Sequence, residues 1–116
     1  MYRLKFHKNL NLERWSAFKR EKQILMIANE LNRAKNWLEK GDPKEVNKSY
    51  ERAFELLDLT IAVTRERNRL KELLRFREML ANLYVRGKRK ETYHKELLKI
   101  LLTLDSKAYK VLEMNG

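Results

Sequence analysis

The stretch "GDPKEVNKSYERAFELLD", Gly41–Asp58, contains the end of one helix and the start of another. Gly41 suits the left-handed position that closes a helix, because it has no Cβ to clash there. Asp42 suits the N-cap that follows, with Pro43 at the first helical position and Glu45 reaching back as a capping box. Beyond this boundary Val46, Tyr50, Ala53, Phe54, Leu57 and Ile61 recur at helical spacing, so one apolar stripe runs to about residue 64. A helical hairpin is the first expectation.

Upstream, residues 12–40 read as helix, with Ile24, Ile27, Ala28, Leu31, Ala34 and Leu38 on one stripe. Trp15, Phe18 and Leu25 fall off that stripe. Either the helix breaks near "KREKQ" or a second apolar face exists there. Downstream, "TRERNR" is a polar connection with Asn68 as a cap, leading to helices over about 69–86 and 92–113. Inward positions are Leu70, Leu73, Leu74, Leu80, Ala81 and Tyr84 on the first of these. On the second they are Tyr93, Leu97, Ile100, Leu101, Leu104, Ala108, Val111 and Leu112. Adding 47 to the second helix's apolar positions lands on apolar positions of the last, an echo that would make the chain two similar hairpins. Residues 1–10 alternate apolar and polar side chains over Tyr2–His7. They read as an extended arm laid on the bundle, an arm paired with another subunit, or a frayed terminus. The fold expected is a single all-α domain over 1–116, an antiparallel up-down four-helix bundle with short connections.

The totals agree with that architecture. Of 116 residues, three are Gly and one is Pro, while Leu, Glu, Lys, Arg and Ala dominate. No Cys is present, which removes disulfides, thiolate nucleophiles and Cys-ligated metals. The start lacks an apolar signal core, and the longest apolar run, "ILMIA", is too short to cross a bilayer. A cytoplasmic protein with no cofactor, no metal and no transmembrane segment is expected.

The net charge is +11, and it is segregated. Residues 1–22 hold seven cations and two acids, and residues 64–90 hold ten and three. The remaining segments are close to neutral. Such segregation points to an anionic partner: nucleic acid, an acidic protein or membrane headgroups. An up-down bundle would gather Arg14, Lys19, Arg20 and Lys22 with Arg65, Arg67, Arg69, Lys71 and Arg75 at one pole. Arg86, Lys88, Arg89 and Lys90 would lie at the other, near Lys40 and Lys44. Apart from Trp15, Phe18 and Phe76, aromatics for base stacking are sparse near these poles, so phosphate contacts rather than base readout are expected. Lys88, Arg89 and Lys90 precede a helix N-terminus, where each cation costs up to about 1 kcal/mol. That segment reads as an anion site or a poorly capped loop.

Two further residue sets stand out. Arg77 falls inside an apolar face and needs a carboxylate such as Glu21, or else a ligand. Phe76, Met79 and Leu83 widen one apolar face, and Leu98, Leu102 and Tyr109 widen the next. Surplus apolar surface of this kind marks an interface, so a homodimer through these six residues is expected.

The hairpin also resembles known families. "GDPKEVNKSYERAFELLD" is similar to the second helix of a tetratricopeptide repeat, over half a repeat and without a 34-residue period. "RAKNWLEKGDPKEVNKSYERAFELLDL" looks like the central hairpin of the HEPN superfamily of small helical bundles. Many members of that superfamily are metal-independent ribonucleases with an Arg-x4–6-His motif, or their toxin–antitoxin partners, and they are commonly dimers. Arg89 and His94 have that spacing in "RKETYH". The resemblance implies that Arg89 polarises the scissile phosphate and His94 transfers a proton. Lys90 departs from the polar Asn, Asp or His often found after the Arg. A non-enzymatic basic module is the primary expectation, with a HEPN-like ribonuclease and a protein–protein adaptor as alternatives.

Overall fold

The computed structural model describes residues 6–86 and 91–104, with Arg86, Glu91, Thr92 and His94 described by backbone alone. It is an all-helical bundle of five helices: α1 (Leu12–Ser16), α2 (Arg20–Lys40), α3 (Pro43–Val63), α4 (Arg67–Arg86) and α5 (Glu91–Thr103). No strand occurs among the described residues. Helix α2 packs along α3 and against α5, α4 packs on both α3 and α5, and α1 lies on α3. The four long helices therefore form a closed ring of neighbours. Among the described residues, no helix is long and apolar enough to cross a membrane.

The hairpin boundary forms for local reasons. Gly41 adopts φ 74°, ψ 32°, the left-handed conformation. Its N–H donates to the Leu38 carbonyl at 3.1 Å, and the Asp42 N–H donates to the Trp37 carbonyl at 3.1 Å. These two bonds satisfy carbonyls that the end of α2 would leave open. The Asp42 carboxylate then accepts from the Glu45 N–H at 3.2 Å and starts α3. The return half of a capping box cannot form, because the Asp42 N–H already serves α2. Glu45 instead meets Lys48 at 3.4 Å.

Of the two alternatives for the first helical segment, the structure shows the break, between Ser16 and Arg20. Between α1 and α2 the chain turns, and this lets Trp15 swing into the core, where it is 0% exposed. Its Nε1–H donates to Thr60 Oγ1 at 3.0 Å. Thr60 in turn donates to the Leu56 carbonyl at 2.7 Å. Buried Gln23 ties the end of α1 to α2: its Nε2 donates to Trp15 O at 2.8 Å, which also accepts from the Phe18 N–H at 3.1 Å, and to Phe18 O at 3.3 Å. A side chain from the next helix thus adds to the backbone partners at this helix end.

The described part of the N-terminal arm docks on α3. The Phe6 and His7 N–H groups both donate to the Glu55 carboxylate, at 2.8 and 3.1 Å. Phe6 lies beneath the Arg52 guanidinium, and Leu10 packs against the core. Residues 1–5 of the expected arm lie outside the described residues.

Three expectations about α4 and α5 need correction. Phe76, Leu83 and Leu102, expected on an outer interface, are buried within the chain's own core. The α4 seam runs Leu73, Phe76, Leu80, Leu83, one flank away from the expected stripe, and Leu74 is exposed. On α5 Leu97, Leu101 and Leu102 are buried, while Tyr93 and Ile100 are exposed. The 47-residue echo therefore fails, since Tyr93 and Ile100 correspond to the buried Val46 and Ala53. Of the other expected interface residues, Met79 is exposed and Leu98 is half-buried, while Tyr109 lies outside the described residues, as does the 105–113 part of the last expected helix.

Arg77 also differs from expectation. Its partner is Asp58 of α3, with Nε to Oδ1 at 2.6 Å and Nη2 to Oδ2 at 3.4 Å, and not Glu21. The guanidinium also lies over the Phe54 ring, 5.2 Å from its centroid. It therefore ties α4 to α3 by a two-point ion pair over an aromatic face.

Candidate nucleic-acid interface

At one end of the bundle, Arg20 of α2, Thr60 of α3, Arg69 of α4 and Leu104 just beyond α5 line one small crevice, with Ile24, Glu72 and Leu73. The start of α2 and the start of α4 thus meet there, as the charge argument required for Arg20 and Arg69. Arg20 Nη1 is buried without a hydrogen-bond partner, which is costly for a cationic group.

Arg69 and its neighbours Arg65, Arg67, Lys71 and Arg75 are all exposed, with Arg67, Lys71 and Arg75 on the face of α4 turned away from the crevice. Their positions follow from how α4 begins. Thr64 ends α3 in an extended conformation. The Glu66 carboxylate then accepts from the N–H groups of Asn68 at 3.0 Å and Arg69 at 2.9 Å. Glu66, and not Asn68, caps the helix, so α4 starts at Arg67. An acid at this cap stabilises the positive end of the helix dipole and allows several cations in the first turn. The Arg69–Glu66 contact is 4.0 Å between side chains that are both about half exposed, so Arg69 is held only weakly. The aromatics considered for stacking here are engaged in packing. Trp15 and Phe76 are fully buried, and Phe18 is half-buried with the Lys22 ammonium over its ring.

The second cationic stretch is placed differently. Lys88, Arg89 and Lys90 lie outside the described residues, and Arg86 is the last residue of α4. Helix α5 begins at Glu91, and His94 lies in its first turn. Met79 and Leu83 of α4 with Tyr93, Glu96, Leu97 and Ile100 of α5 line an open groove of about 330 Å³. Tyr93 is 41% exposed there, and Met79 and Ile100 are each 37% exposed.

A third feature was not foreseen. Arg33, Asn36, Trp37 and Lys40 of α2 face Glu45 and Arg52 of α3 across a groove of about 420 Å³. Trp37 lies beside the α2 core stripe and packs partly against the core. Only the hairpin brings Arg52 across from it. Among the described residues, no three acidic or histidine side chains gather in a metal-binding cluster.

Compared with protein families, curated proteins and solved structures, the chain matches none.

Proposed function

We propose that this is a non-enzymatic helical module that binds nucleic acid through phosphate contacts at the pole formed by the starts of α2 and α4. The observation that carries the reading is the concentration of exposed cations around the start of α4, Arg65, Arg67, Arg69, Lys71 and Arg75, with Arg20 brought beside Arg69 from another helix. Only Glu66 and Glu72 offset the charge within residues 65–75, and Glu66 is committed to the α4 cap. Converging guanidinium groups suit phosphate oxygens, which accept from two N–H donors at once. The antiparallel up-down arrangement of α2–α5 belongs to the same reading. It is supported by the crevice shared between two helix starts and two helix ends, and it makes this pole one surface. The cytoplasm is the compartment in which such a chain meets RNA and DNA.

Binding of labelled RNA and duplex DNA measured from low to physiological salt tests this reading. Affinity is expected to fall roughly a hundredfold between 50 and 200 mM salt if about four phosphates are neutralised. No detectable binding at low ionic strength refutes it. Competition by an acidic polypeptide at equal charge concentration would shift the reading to an acidic protein partner.

The alternative reading is a HEPN-like ribonuclease. It is favoured by the Arg-x4-His spacing of Arg89 and His94 in "RKETYH", with His94 in the first turn of α5. RNA cleavage by the wild type should then fall by roughly 10²–10⁴-fold in His94→Ala, the range contributed by a positioned acid–base group. Equal turnover in the two proteins removes this reading. Met79, Tyr93 and Ile100 on the rim of the groove between α4 and α5 support a homodimer. Light scattering is expected to give twice the 14.1 kDa chain mass, and the chain mass alone counts against the dimer.

A further inference from the structure

The groove between α2 and α3 combines positive charge with a flat aromatic surface. On α2, Arg33, Trp37 and Lys40 succeed one another at spacings of four and three residues and so share one face. They span seven residues, about 10 Å along the helix. Arg52 faces them from α3. Each cation has a partner at its head group. Arg33 Nη1 lies 3.1 Å from buried Glu30, yet the Arg33 side chain is 60% exposed. Arg52 is stacked 5.1 Å over Phe6, whose backbone is tied to Glu55. The Lys40 ammonium lies 4.9 Å from the Trp37 ring centroid, on a flexible stem that an arriving ring can displace. Glu45, the one acid lining the groove, is already paired with Lys48.

We infer that this groove is a subsite for one nucleotide of a single strand, in which the base stacks on Trp37 and the flanking phosphate is held by Arg33 and Arg52. The inference rests on the nucleic-acid reading above and adds a second, chemically distinct contact to it. The volume of about 420 Å³ lies within the range of small-ligand sites. Phosphate attraction alone would need no indole, and a duplex keeps its base faces stacked on one another. Only an unpaired base presents a free ring face to Trp37. Asn36, on the lining, can donate to or accept from a base edge, so the site tolerates any base.

Tryptophan emission of the full chain reports on this directly, because Trp15 is buried and Trp37 lines the groove. A single-stranded octanucleotide, the matched duplex and tripolyphosphate are titrated in turn. The single strand is expected to quench the emission, and the duplex and tripolyphosphate to leave it unchanged. Trp37→Leu should abolish the quenching and weaken single-strand binding about tenfold, with duplex affinity unchanged. Arg33→Lys, which keeps a cation opposite buried Glu30 but loses the planar fork, should weaken the single strand about threefold and retain a near-wild-type melting curve. Single-strand binding without quenching, or at full strength in both variants, overturns the subsite and leaves the basic-pole reading standing. Quenching by tripolyphosphate overturns the stacking assignment. No binding to any of the nucleic acids overturns both readings.

Discussion

The combined variant Arg65→Ala, Arg67→Ala, Arg69→Ala and Lys71→Ala is expected to lose most of the salt dependence of duplex binding. Each phosphate contact contributes a slope of about −0.9 in log affinity against log salt, so four contacts account for roughly −3.6. At low salt the affinity should fall by two or more orders of magnitude, whatever the sequence of the DNA. The fold should be unaffected, because all four side chains are exposed and none is part of the core. Arg69 gives up only its long contact with Glu66, and exposed pairs of this kind contribute about 0–1 kcal/mol. Glu66 remains in place, so the cap on α4 survives. Fluorescence anisotropy with a labelled duplex at four or five salt concentrations measures the slope. An unchanged slope would locate the phosphate contacts elsewhere on the chain and remove this pole from the function.

Trp15→Ala is expected to produce the largest loss of stability of any single substitution in α1. The indole is fully buried, meets Phe18 edge-on at 5.7 Å and donates to Thr60. Removing a buried Trp costs about 3–5 kcal/mol, against a total of about 5–15 kcal/mol for a domain. A fall in Tm of roughly 10–20 °C follows for a chain of this size. The consequence reaches the proposed pole. Gln23 holds the end of α1 to α2, and Arg20 lies just ahead of it in the first turn of α2. Trp15→Phe keeps most of the ring and loses only the donor to Thr60, so it should cost less. Its effect separates burial from the hydrogen bond. Urea unfolding followed by circular dichroism gives both values. A loss below 1 kcal/mol in Trp15→Ala would show that α1 contributes little to the cooperative unit.

The features that were legible in the sequence share one property, which is that neighbours along the chain decide them. Gly41, Asp42 and Pro43 punctuate the hairpin through backbone conformation and a side chain that reaches only three residues. The misfit of Trp15 and Phe18 with the stripe of Ile24 and Ile27 was legible too, but it fitted a second apolar face as well as the break that the structure shows. The phase of α4 was not legible. That helix has apolar residues on more than half its circumference, so several stripes fit its periodicity equally well. Packing against both α3 and α5 selected Leu73, Phe76, Leu80 and Leu83. The same ambiguity turned three core residues into an imagined interface. It also placed Ile100 inside, although it lies on the rim of a groove.

The sites divide in the same way. The excess charge of residues 64–90 can be counted from the sequence, and the polar connection can be located. That Arg20 would meet Arg69 required the path of the chain between them. Arg77 had an evident need for a carboxylate, yet Glu21, Asp58 and others were equivalent until α3 was laid beside α4. Trp37 and Arg52 are fifteen residues apart in sequence, and neither is unusual alone. By itself the sequence determined the helical class, the hairpin at Gly41 and the sign and segregation of the charge, because composition, capping and charge act locally or sum along the chain. The tertiary structure alone decided which apolar stripe faces the core, which acid holds Arg77 and which cations surround Trp37, because each depends on the rotation of one helix against another.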